Sequence, residues 1–239
     1  MKLDIGLLVL GTGLNGYFLI EEPNQPRLDT DEIFSLNRSE VPAWELDATY
    51  NWNASAELVS DYVQGLALLT PMTLLLSTDI RDEAVEIGTM ALQTLILNQG
   101  ITGAIKIHSN RKRPFVYNED APLEFKYRRQ VFYSFPSAHT SASAAACFFT
   151  AKVFSDYYPK SKWKKWVWVG AATLPALTGY LRYEAGRHFV SDIMAGYGLG
   201  AVIGVVIPEL HKINHDAVNV DIYSSMGAVG LQIKWNFNL

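Results

Sequence analysis

Three short blocks of this sequence gather residue types that can handle an oxyanion. In KIHSNRKRP, six residues separate Lys106 from Arg113, and Pro114 follows. In SFPSAHT, Ser137 and Ala138 directly precede His139. In RYEAGRHFVSD, Arg182 is followed by His188 and then by Asp192. A phosphoryl group spreads its charge over several oxygens, so its transfer needs positioning and charge neutralisation more than covalent machinery. Arg113 and Arg182 offer planar donor forks, and Lys106 a point charge. Ser137 and the backbone amides of Ala138 and His139 lie at an expected helix start, where unpaired N–H groups favour an anion. His188 and Asp192 are four residues apart and share a face if a helix begins near His188. The carboxylate can then fix the imidazole tautomer and leave the other nitrogen free to attack. His139, on a different helix, is placed to protonate a leaving oxygen and then activate water.

Each block has a plainer explanation: charges at a helix end, a Pro-Ser helix start, a solvated turn. What favours chemistry is where the blocks fall. Six stretches free of Asp, Glu, Lys and Arg, each 16 to 22 residues long, run over Ile5–Ile20, Tyr62–Thr78, Ile87–Ile105, Gln130–Ala151, Trp166–Leu181 and Ile193–Pro208. Ala, Leu and Gly dominate them, which predicts helices. Their lengths sit near the roughly 20 residues that cross a bilayer. An antiparallel bundle brings the end of the third, the start of the fourth, the end of the fifth and the start of the sixth to one face, and with them all three blocks.

The combination K-x6-RP, PSxH and R-x5-H-x3-D resembles the type 2 phosphatidic acid phosphatase (PAP2) superfamily, which also holds bacterial acid phosphatases and vanadium haloperoxidases. The resemblance covers Lys106 to Asp192, and the six-helix plan extends it to about Pro208. Ala138 stands where the family pattern has Gly, and Leu181 where it has Ser. The resemblance implies an all-α, six-helix transmembrane bundle over residues 1–208. It implies phosphoryl binding by Lys106, Arg113, Ser137, Ala138 and Arg182, acid/base work by His139, and a His188 nucleophile backed by Asp192. No metal and no cofactor are expected. The expected activity is hydrolysis of a lipid phosphate of the phosphatidic acid, phosphatidylglycerol phosphate, isoprenoid diphosphate or lipid A class, through a phosphohistidine. The expected place is a bacterial membrane, with the site facing the periplasm or exterior. A periplasmic acid phosphatase acting on soluble monoesters is one alternative. A vanadium haloperoxidase, with His188 as a ligand, is another.

Composition narrows the rest. Hydrophobic residues make up 49% and charged residues 18% of the chain, against about 25% charged in ordinary soluble proteins. Mean hydropathy is only +0.06, which keeps a soluble helical globule in play. The net charge of −4 gives no reason to expect a nucleic-acid partner. Cys147, the one cysteine, reads as a buried small hydrophobe. Ile5–Ile20 follows Asp4 and reads as a structural helix, not a cleaved leader. Glu21–Ser55 reads as a long loop with a short helix near Asp31–Asn37. Residues 209–239 form a tail in which Val229–Leu239 alternates as a strand, packing on the domain or pairing with a partner. Arg111, Lys112, Arg128, Arg129 and Arg187 are not assigned to the site. His211 and His215, beside Asp216, have a zinc-compatible spacing but no third ligand. Asn37 and Asn53 begin N-x-S sequons.

Overall fold

A computed structural model describes residues 2–212, 218–225 and 228–235. Six long helices account for most of these residues: α1 (Lys2–Glu21), α2 (Ala54–Thr73), α3 (Ala84–Ser109), α4 (Ala138–Tyr157), α5 (Lys164–Glu184) and α6 (Val190–Lys212). Each expected stretch falls on one of them, with shifted bounds. Helix α2 starts eight residues before Tyr62, capped by Asn53, whose side chain accepts from the Ala56 amide at 3.0 Å. Helix α4 starts at Ala138 and not at Gln130, because Ser137 caps it and the chain before it turns through a short 3-10 segment, Arg129–Phe132. Helix α6 runs through Pro208 to Lys212.

Helix α4 is the hub and packs against α2, α3, α5 and α6, while α1 lies along α3. Its run of Ser141, Ala142, Ser143, Ala144, Ala145 and Ala146 is buried, and such small side chains let neighbouring backbones approach closely. Helix α6 answers with glycine every fourth residue. A Cβ at Gly196 would stand 2.4 Å from the Ser137 carbonyl oxygen, at Gly200 2.0 Å from that of Ser141, and at Gly204 2.5 Å from that of Ala145. This row locks the register of α6 on α4, and therefore of the third sequence block on the second.

The loops 22–53 and 110–137 cover the end of the bundle where the blocks meet. Leu28, Ile33, Phe115, Val116, Val131 and Tyr133 form their apolar core together with Ile107 of α3. A short helix, Thr30–Ser35, carries a capping box between Asp29 and Glu32, close to the expected Asp31–Asn37. Asn37 caps the turn Arg38–Glu40. At the opposite end of the bundle, Leu74, Ile80, Ile87, Phe149, Val153 and Ile207 form a second core.

The tail holds two strands, β1 (Val218–Ser225) and β2 (Ala228–Trp235), paired antiparallel from Val218↔Trp235 to Ser225↔Ala228. The expected strand corresponds to β2, and its last four residues, 236–239, lie outside the described residues. So does His215. His211 directs Nδ1 to the Ile207 carbonyl and Nε2 to Asp4, 3.0 Å away. Three described helical segments, Leu3–Asn24, Ala54–Leu76 and Val190–Lys212, are long and apolar enough to cross a membrane. Helices α3, α4 and α5 are less apolar, since α3 buries Gln93, Thr94, Asn98 and Lys106 and α4 is rich in Ser and Thr.

The glycine row predicts that Gly200→Val destabilises the protein by about 3 kcal/mol through overpacking. Gly198→Ala, on the open face of the same helix, is close to neutral. Thermal denaturation of the two purified variants checks both.

Candidate active site

The end of α3 supplies Lys106. Its buried ammonium donates to the carbonyls of Tyr133 and Pro136, each at 2.6 Å, and so pins the strand of chain that leads into α4. Asn110 then ends α3 in the left-handed conformation, and the chain turns toward Arg113. Arg113 donates from Nε to the Gln130 carbonyl at 2.8 Å. Burial, followed by the charges of Arg182 and Arg187, lowers its pKa to about 9.

Ser137 is fully buried, and its backbone N–H donates to the Asp192 carbonyl at 2.9 Å. This hydrogen bond ties the start of α4 to the start of α6. The Ser137 hydroxyl lies 2.9 Å from the Thr140 hydroxyl and accepts from the Thr140 amide, so the side chain acts as the helix cap. Ala138 and His139 are the first two residues of α4, where helix geometry leaves backbone amides without internal partners. The imidazole Nε2 of His139 lies 3.1 Å from Asp61 Oδ1 on α2. Arg182, at the end of α5, donates from Nη1 to that same Asp61 oxygen and to the Ser60 hydroxyl, each at 3.1 Å. Its Nε is buried and has no hydrogen-bond partner.

The turn between α5 and α6 depends on Gly186, at φ +69°, where a Cβ would stand 2.1 Å from the Asn51 carbonyl oxygen. It delivers His188 into the interior. His188 lies two residues before α6 and not on its face, so the expected direct hydrogen bond to Asp192 is absent: Nδ1 is 3.7 Å from Asp192 Oδ2. Nδ1 instead lies 2.8 Å from the Ser134 carbonyl. A carbonyl only accepts, so the proton sits on Nδ1 and Nε2 keeps its lone pair. Burial, then the positive charges of Arg113 and Lys106, push the pKa of His188 well below its ordinary value of 6.5.

Asp192 works one step further out. Its Oδ2 accepts from the Ser134 hydroxyl at 2.6 Å and from the Phe189 amide at 2.8 Å, and its Oδ1 accepts from Arg111 at 2.6 Å. It therefore holds both the Ser134 segment, whose carbonyl orients His188, and the backbone next to His188. Arg111 also donates to the Ser191 hydroxyl and pairs with Glu45, which is buried and accepts from the Ser191 amide and hydroxyl. Sequence reasoning missed Glu45, Asp61, Glu57 and Ser134 and left Arg111 and Arg187 unassigned. Arg111, Ser134 and Arg187 lie inside the three quoted blocks and so carried a local signal, whereas Glu45, Asp61 and Glu57 lie far from them in sequence. The structure brings all eight expected residues to one end of the bundle. A cavity of about 340 Å³ opens there, with Arg113, Arg128, Arg182, Arg187 and Glu57 in its wall.

The displaced pKa of His188 has a consequence for stability. Below pH 6.5 an unfolded chain protonates this imidazole, whereas the folded protein refuses the proton. Stability contributed by His188 is therefore intact above pH 6.5. It is lost as pH falls, by up to about 1.4 kcal/mol per pH unit. Denaturation curves at pH 7 and pH 5 should show this slope, and His188→Gln should flatten it.

The family model described as PAP2 superfamily matches residues 88–216. Phosphatidylglycerophosphatase B of Bacillus subtilis is 35% identical over 72 residues, which are 30% of this chain and 36% of that protein. Lipid A 4'-phosphatase of Porphyromonas gingivalis is 28% identical over 132 residues, 52% of this chain and 50% of that protein. The chain thus spans half or less of the length of these curated relatives. The crystal structure of a transmembrane PAP2 type phosphatidylglycerolphosphate phosphatase from Bacillus subtilis shares the fold, with a TM-score of 0.53 at 21% identity over 87% of this chain and 98% of that one. Since the family model covers more than half of its length, this chain belongs to the PAP2 superfamily.

Proposed function

We propose that this protein is a membrane-embedded phosphatase that releases phosphate from lipid phosphate monoesters or diphosphates through a phosphohistidine on His188. One observation carries the reading. His188 is buried among cations, donates a hydrogen bond from Nδ1–H to the Ser134 carbonyl, and keeps a lone pair on Nε2. Lys106, Arg113, Arg182 and the first-turn amides of Ala138 and His139 would hold the three peripheral oxygens, with the unsatisfied Nε of Arg182 as a ready donor. In the first step Nε2 attacks phosphorus, the P–O bond to the leaving group (an ester, or an anhydride in a diphosphate) breaks, and His139 gives its proton to the leaving oxygen. In the second step a water gives a proton back to His139 and its oxygen attacks phosphorus. The P–N bond breaks, and free phosphate and the neutral imidazole return. Asp192 keeps His188 in place through Ser134 and Phe189. Catalysis is assigned to residues 1–208, with 209–239 as an appendage.

The surface favours a lipid substrate over a soluble monoester. Ile5, Val9, Leu19 and Ile20 of α1, Leu58, Leu66, Leu69 and Met72 of α2, and Met194, Val202 and Val206 of α6 are all exposed. Apolar surface on this scale calls for a hydrocarbon surrounding. The link between α4 and α5 carries Lys160 and Lys162, followed by Lys164 and Lys165, at the end of the bundle away from the site. Under the positive-inside rule these lysines favour that end as cytoplasmic and the site as exterior; the basic residues between Lys106 and Arg129 run against the rule and are accounted for by their part in the site. The names of the two curated relatives point to the same substrate class.

His188→Ala should reduce phosphate release from phosphatidic acid and phosphatidylglycerol phosphate to background while the melting temperature stays within a few degrees of the parent. A fully active variant overturns the assignment. Wild-type activity should persist undiminished in EDTA. The protein should stay in the membrane pellet after carbonate extraction, and release into the supernatant overturns the embedded reading.

A further inference from the structure

The phosphoryl machinery proposed above leaves cations unused. Arg128 and Arg187 share the cavity wall with Arg113 and Arg182, so four guanidiniums and the carboxylate of Glu57 line it, and Asp61 pairs with Arg182. Three peripheral oxygens of a single phosphoryl group are already provided for by Lys106, Arg113, Arg182 and the start of α4. Arg187 is nonetheless built in with care. It is only 8% exposed, and its backbone amide donates to the Arg182 carbonyl at 3.0 Å. Its guanidinium lies against the rings of Trp52, Phe115 and Phe125, 4.9 to 5.3 Å from their centroids. One edge is held by Glu57 at 2.5 Å, and its Nε is buried without a hydrogen-bond partner. An unsatisfied buried donor on a charged group costs free energy that a ligand oxygen recovers. Arg128, exposed at the mouth, stacks on the same Phe125 ring with its guanidinium carbon 4.4 Å from the centroid. Two arginines are thus fixed on one aromatic platform, in the cavity that holds two of the phosphoryl-binding cations.

We propose that Arg187 and Arg128, organised by Phe125, form a subsite for a second phosphate group that the substrate carries beside the one removed. The inference rests on the phosphatase reading and narrows its substrate class to lipids with two neighbouring phosphates. These are a diphosphate, in which the second phosphate is bonded directly to the first, or a glycerol-bridged phosphodiester. Planar forks suit this task because each can grip two phosphate oxygens.

The test compares kcat/KM on two matched pairs: farnesyl diphosphate against farnesyl monophosphate, and phosphatidylglycerol phosphate against phosphatidic acid. Wild-type protein should prefer the doubly phosphorylated member of at least one pair by about tenfold or more, the worth of a charge-assisted hydrogen bond. Arg187→Gln and the surface variant Arg128→Ala should each shrink that preference, and the pair affected identifies the phosphate geometry. Arg128→Ala protects the test if Arg187→Gln fails to fold. Equal losses on both members of both pairs, or no preference in the wild type, overturn the proposal. A second readout does not depend on turnover. Pyrophosphate should raise the melting temperature of wild-type protein more than orthophosphate does, and Arg128→Ala should erase the difference. If no lipid phosphate is hydrolysed but this difference holds, the phosphatase reading fails and the subsite stands. If hydrolysis is found but neither this difference nor a preference within either substrate pair appears, the subsite fails and the phosphatase reading stands.

Discussion

A carboxylate with no exposure to solvent, that of Asp192, sets the terms for this end of the molecule. Removing such a charge from water is tolerable only where partners surround it, and breaking a buried pair costs about 3–5 kcal/mol. Here the partners come from three separate pieces of chain: Arg111 after α3, Ser134 before α4, and the amide of Phe189, the residue just before α6. Satisfying one charge therefore assembles the segments that carry all three sequence blocks. Arg111 passes the demand on to Glu45 in the long amino-terminal loop, so a segment remote in sequence is latched to the same centre.

The helices make this convergence reproducible. Glycines on α6 let it settle against the backbone of α4, and the Ser137–Asp192 backbone hydrogen bond continues that contact into the site. A side chain at Gly196 would meet Ser137 itself, so packing and site share one contact surface. The turn at Gly186 is equally constrained, since only a residue without Cβ passes so close to the Asn51 carbonyl. Positions that look like spacers between motif residues are thus what hold the motif residues in register.

Much of this was legible in the sequence, and the failures have physical causes. Apolar runs reported the long helices because burial and lipid both select for them. Reading by absence of charge cut α2 short, since its first turns carry Glu57 and Asp61, which face the site's arginines. The same reading overextended α4, because the uncharged segment before Ser137 is a folded loop with its own apolar core. The spacing of His188 and Asp192 announced a partnership but not its form, because a four-residue interval pairs side chains directly only inside a helix, and α6 begins after His188. Glu45 and Asp61 act through contacts distant in sequence, which no local pattern encodes, and Ser134, though inside the second block, reaches Asp192 only through the fold. The first tail strand, β1, alternates Val218, Val220 and Ile222 as plainly as β2 does, but its polar residues hid it.

Asp61 gives the site a character of its own. A single oxygen of this half-exposed carboxylate serves both His139 and Arg182. Under the proposed reaction, a phosphate reaching Arg182 does not meet a bare cation; it joins or replaces an anion already tethered there. Binding becomes an exchange, which softens the desolvation cost on arrival and weakens the grip on departing phosphate. The tether keeps that rival at high local concentration throughout the cycle. A site so rich in positive charge thereby carries its own means of letting go of what it makes.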